Sequence, residues 1–210
     1  MALRAVVFDY GMVLTGPPDP AAYEALQRIS GLTADRLDRF YWADRHAYDE
    51  GKLTGLEFWQ NIVRDAELKL SDAAIAELNQ WDARMWTTQN PAMVAWQARL
   101  NQHGLLTAIL SNMGDSVHES IERAFDWIAG FDVRVWSYEL KVAKPDAAIY
   151  KHVLEKLGTR PEETLFLDDK PENIQAAHAL GMKGIVFSNV SKLREDLIAA
   201  GLDKELPLPE

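Results

Sequence analysis

The chain has 210 residues, a length that allows one large domain or one domain with an insert. It is 48% hydrophobic and 26% charged, a composition that predicts a packed core and excludes an intrinsically disordered chain. Because 32 acidic residues outnumber 22 basic ones, for a formal net charge of −10, we expect no nucleic-acid partner, and the absence of cysteine excludes disulfides, thiolate zinc sites and a cysteine nucleophile.

Hydropathy along the chain indicates a cytoplasmic protein. No apolar run reaches the ~18 residues that a membrane span needs. Residues 1–8 lead directly to Asp9 rather than to the apolar stretch and cleavage site of a signal peptide. We therefore expect no contact with a membrane.

Five short apolar runs predict buried strands. Each is continuous and without polar alternation, as is typical of parallel strands covered on both faces. The runs cover residues 3–8, 105–110, 133–136, 164–167 and 184–187.

Segments with helical spacing alternate with these runs. They cover residues 91–103, 147–157, 171–180 and 192–200, and glycine directly follows the last three, as expected at helix ends. Alternating strands and helices predict an α/β fold with a doubly wound, mostly parallel (Rossmann-like) sheet. Residues 207–210 are predicted to form a frayed tail.

Residues 17–89 break this alternation with helical periodicity and no convincing strand. We predict a core domain of residues 1–16 and 90–210, with residues 17–89 inserted as an all-helical cap. Most aromatic residues of this insert are expected in the core of the small bundle. A minority is expected to contact a ligand, and the candidates are Tyr41, Trp42, His46 and Trp59.

Polar residues follow three of the predicted strands. Asp9 follows the first, Ser111 and Asn112 follow the second, and Asp168 and Asp169 follow the fourth. In an open α/β sheet, ligands bind beyond the carboxyl ends of the strands, so these residues are expected to converge. Three carboxylates at one edge repel one another unless a cation lies among them, and Mg²⁺ prefers oxygen ligands.

Four short motifs, in order along the chain, resemble those of the haloacid dehalogenase superfamily of aspartate-nucleophile hydrolases. The motifs are FDYGMVLTG from Phe8, ILSN from Ile109, KVAKPDAAIY from Lys141 and FLDDKPENIQAAHALGM from Phe166. A helical insert after the first motif matches the subgroup that has a cap there. Within the superfamily, the chain is similar to sugar-1-phosphate phosphatases and to the N-terminal phosphatase-like domains of epoxide hydrolases.

The resemblance implies a role for each motif. Asp9 would attack phosphorus and form an aspartyl-phosphate, Ser111 would bind the transferring phosphoryl group, and Lys144, with Lys141 as the alternative, would offset its charge. Mg²⁺ would be bound by Asp9, the backbone carbonyl of Gly11 and Asp169. The implied supporting residues are Asp168, Asn112 and Asn173. The implied activity is Mg²⁺-dependent hydrolysis of a small phosphorylated metabolite, by a monomer or homodimer.

The first motif departs from the family's pattern at Gly11, where its phosphatases have a second aspartate that protonates the leaving oxygen. Losing such an acid costs ~10²–10⁴ in rate. We therefore expect a preference for leaving groups that need little protonation, such as anomeric sugar, acyl and aryl phosphates. The insert offers candidate replacement acids at Asp44, His46, Asp49 and Glu50.

Two other functions stay open. A 2-haloacid dehalogenase uses the same aspartate without a metal and shares the missing acid, although the paired acids Asp168 and Asp169 argue against it. A catalytically impaired phosphate-binding or regulatory scaffold is the second, and Gly11 favours it. Halide release without metal would identify the former, and phosphate binding without turnover the latter.

Overall fold

The computed structural model describes residues 2–210, and its centre is a five-stranded parallel sheet in the order β3-β2-β1-β4-β5. The strands are β1 (Ala5–Phe8), β2 (Leu106–Ser111), β3 (Val133–Trp136), β4 (Thr164–Asp168) and β5 (Lys183–Val186). The predicted α/β fold with a doubly wound sheet is confirmed. After β3 the chain crosses to the other side of β1 and forms β4 there. A ligand is expected where the order reverses in this way, beyond the carboxyl ends of β1 and its neighbours.

Helices cover both faces of the sheet. They are α6 (Pro91–Gln102), α7 (Asp115–Ala124), α8 (Ser137–Leu140), α9 (Ala147–Leu157), α10 (Pro171–Ala179) and α11 (Val190–Ala199). Alternate residues of β1 point to opposite faces, as the pleat requires. Ala5 and Val7 pack with α9 and α10, whereas Val6 and Phe8 pack with α6 and α11.

The insert contains helices α1 (Pro20–Ser30), α2 (Ala34–Ala43), α3 (Arg45–Asp49), α4 (Gly55–Asp65) and α5 (Asp72–Met85). Local sequence explains where they begin. Asp19 caps α1, and Thr54 with Glu57 forms a reciprocal capping box at α4.

The insert packs against the sheet layer in one continuous apolar cluster. Leu26, Leu37 and Phe58 of the insert belong to the same buried cluster as Phe8 and Trp96. The approach is closest at Gly114, before α7, where a Cβ atom would lie 2.0 Å from the Tyr48 ring. Only glycine permits this contact.

Two features differ from the sequence predictions. Helix α7 was not predicted, because its exposed face is polar and it ends at extended Phe125 without a glycine. The prediction of a frayed tail at residues 207–210 is wrong. The indole of Trp96 donates to the Pro207 carbonyl at 2.6 Å, and Arg99 donates to the Leu208 carbonyl, so two side chains of α6 hold the tail. Within residues 2–210, every helix is too short or too polar to cross a membrane.

Candidate active site

Three adjacent strands bring the predicted polar residues together. Phe8 of β1 pairs with Ile109 of β2 and with Leu167 of β4. One residue further along, Asp9 is therefore level with the carboxyl ends of both neighbours. Ser111 is the last residue of β2 and Asp168 the last residue of β4, and both are buried.

We call the carboxyl ends of β1, β2 and β4, with Asp9, Ser111 and Asp168, the strand edge. Lys144 lies at this strand edge and is positively charged. Its side chain is 1% exposed, and its Nζ lies 2.9 Å from Asp9 Oδ1 and 2.6 Å from Asp168 Oδ2. The third proton of the ammonium is donated to the carbonyl of Leu110 at 2.9 Å. All three donors of Lys144 thus have acceptors, which is what makes a buried charge tolerable.

Two asparagines position these charged groups. Asn112 accepts from the backbone N–H of Lys144 at 2.8 Å and donates to its carbonyl at 2.9 Å. Asn173 Nδ2 lies 3.0 Å from both carboxylate oxygens of Asp168. The backbone N–H of Lys170 donates to Asp168 Oδ1 at 2.8 Å. Asn112 therefore orients the backbone of Lys144, and Asn173 orients the carboxylate of Asp168.

The other lysine of the third motif lies elsewhere. Lys141 donates from Nζ to the carbonyl of Gly51 in the insert, and it does not reach Asp9 or Asp168. The geometry therefore favours Lys144 over Lys141 as the lysine that contacts Asp9.

The strand edge shifts the pKa values of its groups. Burial, together with the charges of Asp168 and Asp169, raises the pKa of Asp9 to about 7 even though Lys144 opposes the shift. Burial disfavours the charged form of Lys144, but Asp9 and Asp168 outweigh it and raise the pKa of its ammonium. Burial and Asp168 also raise the pKa of Asp169. Excess negative charge is therefore concentrated at this edge.

Three carboxylates could hold a metal ion here. One oxygen each of Asp9, Asp168 and Asp169 lies within 4.8 Å of the others. Asp168 already receives hydrogen bonds from Lys144, Lys170 and Asn173. Asp9 and Asp169 line the open space above the strands, whereas Asp168 does not. An all-oxygen donor set at this spacing fits a hard divalent cation such as Mg²⁺.

The chain leaves β1 through a wide turn at Tyr10–Leu14, which the N–H of Thr15 closes on the Tyr10 carbonyl at 3.0 Å. Gly11 in this turn has φ −61° and ψ 133°, an ordinary extended conformation for any residue. A Cβ atom at Gly11 would meet nothing within 4 Å. The position that lacks the acid thus has room for a side chain.

A cavity of about 200 Å³ opens above these residues. At ~30 Å³ per water it has room for roughly seven waters, enough for a small molecule. Its walls from the strand edge include Asp9, Gly11, Ser111, Lys144 and Asp169, and its walls from the insert include Pro18, Trp42, Arg45, Asp49 and Trp86.

Of the four predicted ligand contacts, Trp42 alone lines the cavity. Tyr41 and Trp59 are corrected: they are buried in the insert and donate to the fully buried carboxylate of Asp82. His46 is also corrected, because its side chain is 68% exposed and faces Glu50 outside the cavity. Tyr41 and Trp59 are held by Asp82, and His46 is held by Glu50. The aromatic pattern of the sequence does not reveal these charged partners.

Arg45 is a charged cavity residue that sequence reasoning missed. It is buried, its Nε donates to Asp49 Oδ1 at 2.9 Å, and its Nη1 lies 3.6 Å from Asp82 Oδ1. Its guanidinium also lies over the ring of Trp86, 5.4 Å from the centroid. The i, i+4 spacing of Arg45 and Asp49 was the available signal.

Comparison with known proteins places this site in a family. A sequence model described as haloacid dehalogenase-like hydrolase matches residues 3–181. The chain is 27% identical to phosphatase MT3486 of Mycobacterium tuberculosis, over 94% of the chain and 93% of that protein. It is 26% identical to (S)-2-haloacid dehalogenase 1 of a Pseudomonas species, over 92% of the chain and 88% of that protein.

Two further similarities concern a longer relative and a solved structure. The chain is 27% identical to mouse bifunctional epoxide hydrolase 2 along its whole length but spans only 41% of that relative. A HAD family enzyme of Bacteroides thetaiotaomicron, bt-2542, in complex with magnesium and inorganic phosphate, has a TM-score of 0.71 and 24% identity, covering 89% of this chain and 94% of that one. This likeness shows a shared fold.

Proposed function

The chain belongs to the haloacid dehalogenase-like hydrolase family, and from this premise we propose that it is a Mg²⁺-dependent phosphatase of small phosphorylated metabolites. The observation that carries the proposal is the buried Lys144 between Asp9 and Asp168, with Asp169 beside them, at the floor of one small cavity. A phosphatase relative and a magnesium-phosphate complex of a protein with this fold support the same assignment.

Each residue at the strand edge has a task in this reaction. Asp9 attacks phosphorus and takes the phosphoryl group as an aspartyl-phosphate, which water then hydrolyses. Lys144 offsets the negative charge that approaches Asp9, and Ser111 donates a hydrogen bond to a phosphoryl oxygen. Asp9, Asp169 and the Gly11 carbonyl would hold Mg²⁺, which would supply positive charge to offset that of the nucleophile and the phosphate.

The leaving group is where this chain differs from family members that have an acid two residues after the nucleophile. Gly11 donates no proton, so the oxygen that leaves phosphorus receives no help from the β1 turn. Unless another residue supplies that proton, we expect the chain to favour anomeric sugar, acyl and aryl phosphates over alkyl phosphates. The cavity of about 200 Å³ supports a small substrate.

Dehalogenation of a 2-haloacid is the second candidate. The Pseudomonas dehalogenase relative favours it, as does the absence of an acid at Gly11, because a halide leaves without a proton. The cluster of Asp9, Asp168 and Asp169 argues against it, because metal-free displacement by one aspartate has no need of two further carboxylates.

Phosphate release from a panel tests these functions. The panel contains p-nitrophenyl phosphate, acetyl phosphate, sugar 1-phosphates and sugar 6-phosphates, each with Mg²⁺ and with EDTA, and Asp9→Asn is the control. Mg²⁺-dependent release that is faster from the activated esters supports the proposal. If folded protein releases no phosphate from any substrate of the panel, the proposal is contradicted. Halide release from a 2-chloroacid would then indicate the dehalogenase, and phosphate binding alone would indicate a non-catalytic scaffold.

A further inference from the structure

One carboxyl group faces the strand edge from the opposite wall of the cavity. Asp49, the last residue of α3, lines the same space as Asp9, Gly11 and Ser111. The cavity measures about 200 Å³, so a substrate bound at Asp9 shares one small space with the Asp49 carboxyl. Asp49 is therefore within the reach of a substrate atom that points away from the nucleophile.

Asp49 is held at two points. Arg45 Nε donates to its Oδ1 at 2.9 Å, and the hydroxyl of Ser137, in the core, donates to its backbone carbonyl. Among residues 2–210, no side chain or backbone group donates to its second oxygen, Oδ2. One oxygen is thus fixed by the insert, and the other has no protein donor among the described residues.

The partner of Asp49 is itself immobilised. Arg45 lies between Asp49 and Asp82, donates to the hydroxyl of Tyr41 and packs on the ring of Trp86. These contacts explain why Tyr41 and Asp82 are buried behind the cavity wall instead of lining it. Arg45 is a positioning residue in this arrangement.

Burial keeps the carboxyl of Asp49 closer to its neutral form. It raises the pKa of Asp49 above its usual value, against the opposing charge of Arg45; Asp82 adds to the shift, and Lys170 at the strand edge reduces it. A raised pKa moves this carboxyl toward the range in which a general acid works.

The other three candidate acids of the insert do not reach the cavity. Asp44 accepts from the side-chain amide of Asn61 at 3.5 Å, and outside the cavity Glu50 pairs with both His46 and Lys52. The position of its carboxyl therefore separates Asp49 from its neighbours in sequence.

We propose that Asp49 is the general acid of this reaction, supplied by the insert in place of the acid that Gly11 lacks. The inference rests on the proposed phosphatase function. When Asp9 bonds to phosphorus, the bond from phosphorus to the leaving oxygen breaks, and that oxygen takes the proton of Asp49 to leave as an alcohol. The Asp49 carboxylate then takes a proton from the water that attacks the aspartyl-phosphate, and inorganic phosphate and the Asp9 carboxylate are released.

The test compares two leaving groups in the first chemical step alone. Wild type and Asp49→Asn are mixed in excess over p-nitrophenyl phosphate or glucose 6-phosphate with Mg²⁺, and release of nitrophenolate or glucose is followed through a single turnover. We expect the substitution to slow glucose release by ~10²–10⁴ and to change nitrophenolate release by less than about threefold, because nitrophenolate leaves without a proton. The nitrophenolate rate also reports that the variant is folded.

Two further variants sharpen the result. Glu50→Gln, which changes the adjacent carboxyl outside the cavity, is expected to leave both rates unchanged. In Gly11→Asp/Asp49→Asn, an acid enters from the other wall, where a Cβ meets nothing within 4 Å, and is expected to restore glucose release.

Equal loss with both substrates, or no loss with glucose 6-phosphate, overturns the assignment of Asp49. Wild-type protein that releases neither product overturns the phosphatase function itself, so the two failures are distinguishable.

Discussion

Lys144 is a buried cation whose loss should destabilise this fold. Its Nζ lies 2.9 Å from Asp9 Oδ1 and 2.6 Å from Asp168 Oδ2, and it donates to the Leu110 carbonyl at 2.9 Å. Lys144→Met keeps an unbranched side chain of similar length but leaves two buried carboxylates without their cation. Removing one partner of a buried ion pair destabilises a protein by about 3–5 kcal/mol.

The lower end of that range is expected here. Burial and the neighbouring carboxylates raise the pKa of Asp9 to about 7 even beside Lys144, so without the lysine Asp9 takes up a proton instead of remaining a buried anion. A loss of about 3 kcal/mol lowers the melting temperature by roughly 6–12 °C for a chain of this size. Native domains have about 5–15 kcal/mol of stability, so the variant still folds.

Urea unfolding at neutral pH in EDTA measures this effect, with Lys192→Met as the matched control. Lys192 pairs with Asp196 on the surface, so its replacement should leave the urea midpoint unchanged. Excess Mg²⁺ should recover stability in Lys144→Met more than in the wild type, because the cation neutralises the same carboxylates. A loss below about 1 kcal/mol in EDTA would refute the reasoning, since an unpaired buried charge cannot cost so little.

Four other outcomes follow from the strand edge. Asp9→Asn should abolish phosphate release while its melting temperature stays within a few degrees of wild type; residual turnover would remove the nucleophile assignment. Gly11→Asp alone should change hydrolysis of a sugar 6-phosphate by less than about threefold, because Asp49 already supplies the proton, and a gain of tenfold or more would show that the wild-type chain works without an acid. Asp169→Ala should raise the Mg²⁺ concentration for half-maximal activity by at least about tenfold, and an unchanged titration would move the metal elsewhere. Because the proton on Asp9, with its pKa of about 7, competes with the metal, that concentration should also rise by about tenfold per pH unit below neutrality, and a flat profile would contradict the competition.

The strand edge was predictable because parallel strands impose a simple geometry. Each buried run ends at a polar residue, and parallel pairing in register brings Asp9, Ser111 and Asp168 to one level of the sheet. Nothing beyond the positions of the runs was needed for this. The chemical roles of these residues stay predictions until activity is measured.

The cavity wall from the insert was not predictable in the same way. Helical periodicity identifies an apolar face but not which neighbour that face meets. Tyr41 and Trp59 turn away from the cavity because Asp82 is buried on α5, where it accepts from both side chains. A lone aspartate in a helical pattern normally marks a solvated face, so the sequence concealed the centre of this network.

The charge at the strand edge favours one of the two candidate reactions, phosphate-ester hydrolysis, over the other, halide release. With Asp9, Asp168 and Asp169 ionised and Lys144 charged, the cluster has a net charge of −2, and both a phosphate ester and a 2-haloacid carboxylate are anions. A divalent cation brings the cluster to neutrality and lets an anion approach, whereas without metal two surplus carboxylates repel it. We therefore expect these carboxylates to disfavour metal-free halide release, and we expect Gly11 to alter how the leaving group departs without altering which anion the site admits.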